Sequence, residues 1–262
     1  MISPRVFQIM PVRTFVFMTF VLMQVSCSTN QPDSSTNQES LEPSGLQGKA
    51  VLFVYGGWEG HQPEACRDLF VPWLQEAGAT VIESKTLDVY ADSILMAGID
   101  LIVQIWTMGE ISADQLHGLL NAVESGTGFA GWHGGIIDAF RGSLEYDLLT
   151  GAQFLTHPGG EIPYSVHITD PRDPVMAGIH DFDVVTEQYY LLTDPNMHVL
   201  ATTTFDDQHL KWIKGHTMPV IWKKSYGSGH VFVSTLGHST DVLSKPEVQK
   251  TLERGFVWAC RR

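Results

Sequence analysis

Phe129-Ala130-Gly131-Trp132-His133-Gly134-Gly135 is the stretch on which the fold turns. Small and apolar residues through Trp132 suit a buried strand. The Gly-x-His-x-Gly turn leads into a helix expected near Ile136. A strand–turn–helix elbow of this kind displays one side chain at the carboxyl end of a sheet, above a helix N-terminus. A Ser or Cys there would point to acyl transfer. Imidazole is a poor substitute nucleophile but a good metal ligand or acid–base group. The scaffold therefore reads as that of a hydrolase or amidotransferase turned to other chemistry.

The residues upstream fit the same sheet. Residues 49–55 are a short Val-rich run, followed by the loop Gly56-Gly57-Trp58-Glu59-Gly60-His61 and by a helix that opens at Pro63 and ends at Gly78. Residues 80–84 and 99–105 read as further strands. Ser112 caps a helix to about Glu124, with Leu116, Leu119, Leu120 and Val123 at helical spacing. Strands alternating with helices over short loops mean a parallel α/β sheet. After Gly151 the texture changes. Apolar residues alternate with polar ones from Ile162 to Ile168, residues 184–190, 198–204 and 219–225 add strand character, and Tyr226-Gly227-Ser228-Gly229 reads as a hairpin turn. This half is expected to extend the sheet with antiparallel or mixed strands, and residues 245–258 to form the closing helix.

The N-terminus reads separately. Arg5 and Arg13 precede an apolar run over residues 14–25 that ends at Ser26-Cys27. That is the order of an export signal, too short for a membrane span. Cys27 after a small residue suggests a lipoprotein whose lipidated N-terminus is that cysteine, so residues 1–27 are taken as the signal. Gln24 stands where an aliphatic residue is usual, and ordinary cleavage or an uncleaved anchor is the alternative. Residues 28–48, rich in Ser, Asn, Gln and Pro, are expected to be a flexible tether, with the folded domain over 49–262. The expected location is the periplasm or cell surface, with the lipid as the sole membrane contact.

Without Arg5 and Arg13 the chain keeps 14 basic residues against 29 acidic ones. That balance argues against nucleic acid and anionic lipid surfaces and is read as solubility. Neither Cys66 nor Cys260 belongs to a metal-spaced pair. Export would permit a disulfide between them, but the geometry is demanding, and two buried free thiols are the preferred reading.

Ligands of open α/β sheets bind beyond the carboxyl ends of the strands. His61, His133 and His238 all follow strands there, and Glu187 ends another. Three imidazoles and a carboxylate suit a divalent cation such as Zn²⁺, with a position left open. The opposing reading is that loop histidines in a chain with 11 of them are merely solvated. His157 is the next candidate, as a substrate-binding or supporting group. Trp58, Trp106, Trp132 and Tyr189 lie near the same rim and are candidate walls for a sugar ring, or else lids that pack the loops.

Several blocks resemble the ThuA-like (trehalose utilisation) family. They are residues 56–61, Gly131-Trp132-His133, Gly151-Ala152-Gln153-Phe154 with Thr156-His157-Pro158, Asp173 to Ile179 with Glu187 and Tyr189, Pro219 to Trp222, residues 226–232 and Gly237-His238. The resemblance implies a flavodoxin-like three-layer sandwich, similar to class I glutamine amidotransferases, and a tie to trehalose and 3-keto-glycoside metabolism. An amidotransferase activity does not carry over, because the elbow holds His133 rather than Cys. Ser125-Gly126-Thr127-Gly128 and His230 depart from the family pattern. Three functions remain in view: a metal-assisted sugar enzyme with Glu187 and His133 as catalytic groups, a non-catalytic sugar-binding lipoprotein, and an amide hydrolase. The last lacks a placed nucleophile.

Overall fold

The structure is a computed structural model that describes residues 43–262. The signal, Cys27 and the tether up to residue 42 lie outside the described residues. Strands β1 (Ala50–Gly57), β2 (Thr80–Ser84), β3 (Leu101–Thr107) and β4 (Gly128–Trp132) alternate with helices α1 (Pro63–Glu76), α2 (Ser93–Ala97) and α3 (Ala113–Glu124). The elbow leads into a single turn, α4 (Gly134–Ile137), and then α5 (Leu144–Thr150). Next come β5 (Ala152–Thr156), β6 (Glu161–Ile168), β7 (Phe182–Glu187), β8 (Tyr190–Thr193), β9 (His198–Thr204), β10 (Thr217–Tyr226) and β11 (Gly229–Ser234), then α6 (Thr240–Leu243) and α7 (Pro246–Ala259).

The main sheet has nine strands in the order β2-β1-β3-β4-β11-β10-β9-β6-β7. Its first half is parallel, including β4 with β11. From β10 onward neighbours run antiparallel, so the expected mixed extension is present. Alternate residues of the central strands face two separate cores, which is why these strands read as unbroken apolar runs. Val51, Phe53, Leu101 and Val103 pack with α1 and α7, whereas Leu52, Val54 and Ile102 pack with Tyr90, Met96, Leu119 and Trp222 on the other face. Helices on both faces of one sheet make the three-layer sandwich. α3 starts as its sequence dictates, with Ser112 and Gln115 forming a reciprocal capping box.

Two boundaries differ from the sequence reading. Leu46 is fully buried against the α1–α7 core, so the fold takes hold before residue 49. The expected single strand over 184–190 is two: β7 ends at Glu187, and β8 leaves to pair with β5 in a separate two-stranded sheet. Gln188 holds the break by donating from Nε2 to Thr203 Oγ1 at 2.7 Å. The β6–β7 hairpin in turn meets β9 only at His167–Thr202 and Ile168–Ala201. Its other end, where Glu161 pairs with Glu187, is free to reach the carboxyl rim. No helix among the described residues is long and apolar enough to cross a membrane.

Candidate metal centre

The elbow puts His133 in a backbone conformation that a side chain resists: φ 50° and ψ −145°. Such a residue costs about 1–3 kcal/mol and persists only where its surroundings dictate it. Its N–H donates to Ser234 O at 2.7 Å, and its carbonyl accepts from Ile136 and Ile137. Beneath the turn, buried Gln104 of β3 donates to the Gly135 carbonyl and to Tyr146 Oη, which itself donates to Ile136 O at 3.0 Å. Among the described residues, the other non-glycine positions with positive φ are Gln62, Met108 and Phe140, all in loops at the same rim.

Four side chains converge above this turn. Donor atoms of His61, His133, Glu187 and His238 all lie within 4.8 Å of one another. The His61 ring sits 4.7 Å from that of His133 and 5.0 Å from that of His238, centroid to centroid. Gly134 permits the first approach, because a β-carbon there would stand 2.4 Å from His61 Cε1. His61 is placed by a short 3-10 turn after β1 and bonds through Nδ1 to Thr107 Oγ1 at 2.7 Å. His133 Nδ1 donates to the Thr235 carbonyl at 2.7 Å. Its Nε2 lies 3.1 Å from Glu187 Oε2 and 3.0 Å from the Tyr189 hydroxyl. His238 Nδ1 is 3.4 Å from Glu187 Oε2, with no hydrogen-bond alignment.

Burial lowers the pKa of His61, and the neighbouring imidazoles of His133 and His238 lower it further, to about 3. Burial lowers His133 as well, against the opposing pull of Glu187. Burial would raise Glu187, but His133 and His238 outweigh it and hold the carboxyl well below its ordinary range. Glu187 in turn raises His238. Two neutral imidazoles and an ionised carboxylate present lone pairs to the centre at neutral pH.

Not every residue chosen from the sequence stands here. Tyr189 does, stacked on His133 at 4.5 Å, although it is buried rather than a wall of an open groove. His157, partly exposed, has Nε2 3.6 Å from Glu187 Oε1. Trp58 is 46% exposed with its ring edge-on to His61 at 4.8 Å, so it can meet a ligand. Trp132 cannot: it is fully buried among Phe53, Phe70 and Phe256. Trp106 fails for another reason. Strand alternation turns it to the face opposite Thr107, where it packs beside the core of Leu52 and Tyr90. Thr107, Thr235 and Glu161 carry no local mark of the site in the sequence. Only the β1–β3 register, which sets Gly57 opposite Thr107, could have flagged the first.

Cys66 and Cys260 are free and buried. Burial pushes the Cys66 thiol up to about 12, and its Sγ donates to His61 O, so it is no nucleophile.

Fold and site together define a flavodoxin-like α/β protein with a histidine–carboxylate centre at the carboxyl rim of its sheet. The chain belongs to the ThuA family of trehalose utilisation, whose family model matches residues 50–259. It is similar to a ThuA-like protein from Bacteroides uniformis (15% identity, TM-score 0.67, covering 80% of this chain and 90% of that one). A ThuA-like protein from Parabacteroides merdae is alike at 17% identity and TM-score 0.67, covering 80% and 89%. A cytoplasmic protein from Salmonella typhimurium shares the fold at 12% identity and TM-score 0.55, covering 82% and 100%. No curated protein matches the chain.

Proposed function

We propose that this is an exported, metal-assisted enzyme acting on a sugar of the trehalose or 3-keto-glycoside type, anchored through Cys27. The observation that carries the reading is the convergence of His61, His133, His238 and Glu187 donor atoms within 4.8 Å. The fit to a divalent cation rests on two buried ring nitrogens at the centre, His61 Nε2 and His238 Nδ1, which have no hydrogen-bond partner. Nitrogen and carboxylate donors of this kind suit Zn²⁺ and its neighbours. When bound, such a cation supplies Lewis-acid polarisation of a carbonyl or hydroxyl oxygen. The three imidazoles would hold it. Glu187 would be either the fourth ligand or the base that takes a proton beside that carbonyl. Tyr189 Oη, 3.0 Å from His133 Nε2, would serve as a hydrogen-bonding group for a substrate oxygen brought to the centre. Trp58 supports the sugar reading as an exposed aromatic surface beside the centre.

Elemental analysis of protein purified without chelator or nickel tests the metal; about one equivalent of a transition metal is expected. His133→Ala should abolish both metal and turnover. Metal-free wild-type protein that still binds disaccharides by calorimetry, without product after long incubation, would leave a non-catalytic sugar-binding protein instead.

A further inference from the structure

We propose that Thr107 and Glu161 are positioning residues that set the tautomers of His61 and His238, so that a bound divalent cation meets Nε2 of His61 and of His133 but Nδ1 of His238. This deepens the metal-site reading above and rests on it.

Each imidazole turns one nitrogen away from the centre. For His61 it is Nδ1, 2.7 Å from Thr107 Oγ1. For His133 it is Nδ1, which donates to the Thr235 carbonyl. For His238 it is Nε2, 3.7 Å from Glu161 Oε1, an ion-pair distance rather than a formed hydrogen bond. The opposite nitrogens face inward. His61 Nε2 and His238 Nδ1 are buried without partners, and His133 Nε2 meets Glu187 and Tyr189.

A neutral imidazole carries one proton, and its outer partner decides which nitrogen keeps it. An acceptor outside the centre draws the proton outward and leaves the inner lone pair free. The His61 ring is confined as well, by Gly134 at its Cε1 edge and by Trp58 against its flank. The tautomer is then the main freedom left to it, and Thr107 Oγ1, by accepting from Nδ1, would favour the one that leaves Nε2 free. Glu161 comes to His238 by strand pairing: it lies opposite Glu187 across the β6–β7 hairpin. One hairpin thus brings the central carboxylate and the outer partner of a neighbouring ligand.

The two contacts differ in strength. Thr107 is buried at 1% exposure, where no water replaces its hydroxyl, and loss of such an outer partner typically weakens metal binding about 10–100-fold. Glu161 is half exposed, and its longer, solvent-screened contact should matter by only about two- to fivefold.

The experiment uses the full chain, labelled with ¹⁵N-histidine and loaded with ¹¹³Cd²⁺. Two rings are expected to show cadmium coupling at Nε2 and His238 at Nδ1. Chelator competition should place Thr107→Val 10–100-fold weaker than wild type, with Thr107→Ser restoring affinity. Glu161→Ala should be two- to fivefold weaker, with Glu161→Gln, which keeps an acceptor oxygen, close to wild type. Coupling of His238 through Nε2, or wild-type affinity in both Thr107→Val and Glu161→Ala, overturns the proposal while the metal site stands. Wild-type protein that takes up no cadmium overturns the site and the proposal together. Should Thr107→Val not fold, the coupling pattern of the wild type decides alone.

Discussion

His133 Nδ1 donates to the carbonyl of Thr235, 102 residues further along the chain, at 2.7 Å. The contact ties the turn after β4 to the loop after β11, two parallel neighbours in the sheet. It also commits the ring, because a carbonyl can only accept. The proton of the neutral imidazole sits on Nδ1, which leaves Nε2 to accept from the Tyr189 hydroxyl, with Glu187 Oε2 beside it. A side chain wanted only for packing would not need both a fixed tautomer and a strained backbone.

That strain can be measured. At φ 50° a β-carbon is unfavourable and glycine is not. His133→Gly and His133→Ala lose the same imidazole, but only the alanine variant keeps the strain. We expect the glycine variant to be the more stable of the two by about 1 kcal/mol in urea unfolding, after allowance for glycine's greater unfolded-state entropy. An alanine variant as stable as the glycine one would show that the elbow stores no strain. Both should be free of metal.

Trp58 and Trp132 should separate cleanly. Trp132 is wholly enclosed in the α1–α7 core, so Trp132→Ala is expected to cost about 3–5 kcal/mol in denaturant unfolding. Trp58 is half in solvent, and Trp58→Ala should change stability by no more than about 0.5 kcal/mol. Sugar binding, followed by calorimetry, should fall markedly in Trp58→Ala. Unchanged binding there would remove Trp58 from the site.

The same pair shows what a sequence reveals and what it hides. The parallel half of the sheet was legible because β1, β3 and β4 are apolar runs with glycine at or soon after their ends, and those signals are local. His61, His133 and His238 were legible as rim residues because each follows a strand, and strand ends are local too. The face on which a side chain emerges is not. Trp106 and Thr107 are adjacent, yet only Thr107 meets His61, and register with β1 decides which. Trp132 precedes the elbow by one residue and faces the core for the same reason. Glu161 was illegible because it acts through a hairpin partner 26 positions away, and the break at Gln188 that separates β7 from β8 depends on a bond to Thr203.

The cysteines yield a prediction about chemistry rather than stability. Burial pushes the Cys66 thiol up to about 12 and that of Cys260 up to about 11. Neither should react with a thiol reagent in the folded protein at pH 8, and both should react at once in denaturant without reductant. Failure of both to titrate after unfolding would mean that they had paired.

Asp147 carries the clearest dependence on pH away from the centre. It lies on α5, its Oδ2 is buried without a hydrogen-bond partner, and burial pushes its pKa up to about 6. The folded protein therefore holds this proton more tightly than the unfolded chain, whose aspartate titrates near 4. Its ionisation costs nothing below the unfolded value, costs progressively more as pH rises, and reaches its full penalty above about 6. Asp147→Asn removes that ionisation. It should raise stability by about 1 kcal/mol at pH 8, the shift being discounted because the residue is partly in solvent. By pH 4 the gain should vanish. Urea unfolding of both proteins at pH 4, 6 and 8 tests this, and a gain that is constant across the three would assign the effect to packing rather than to charge.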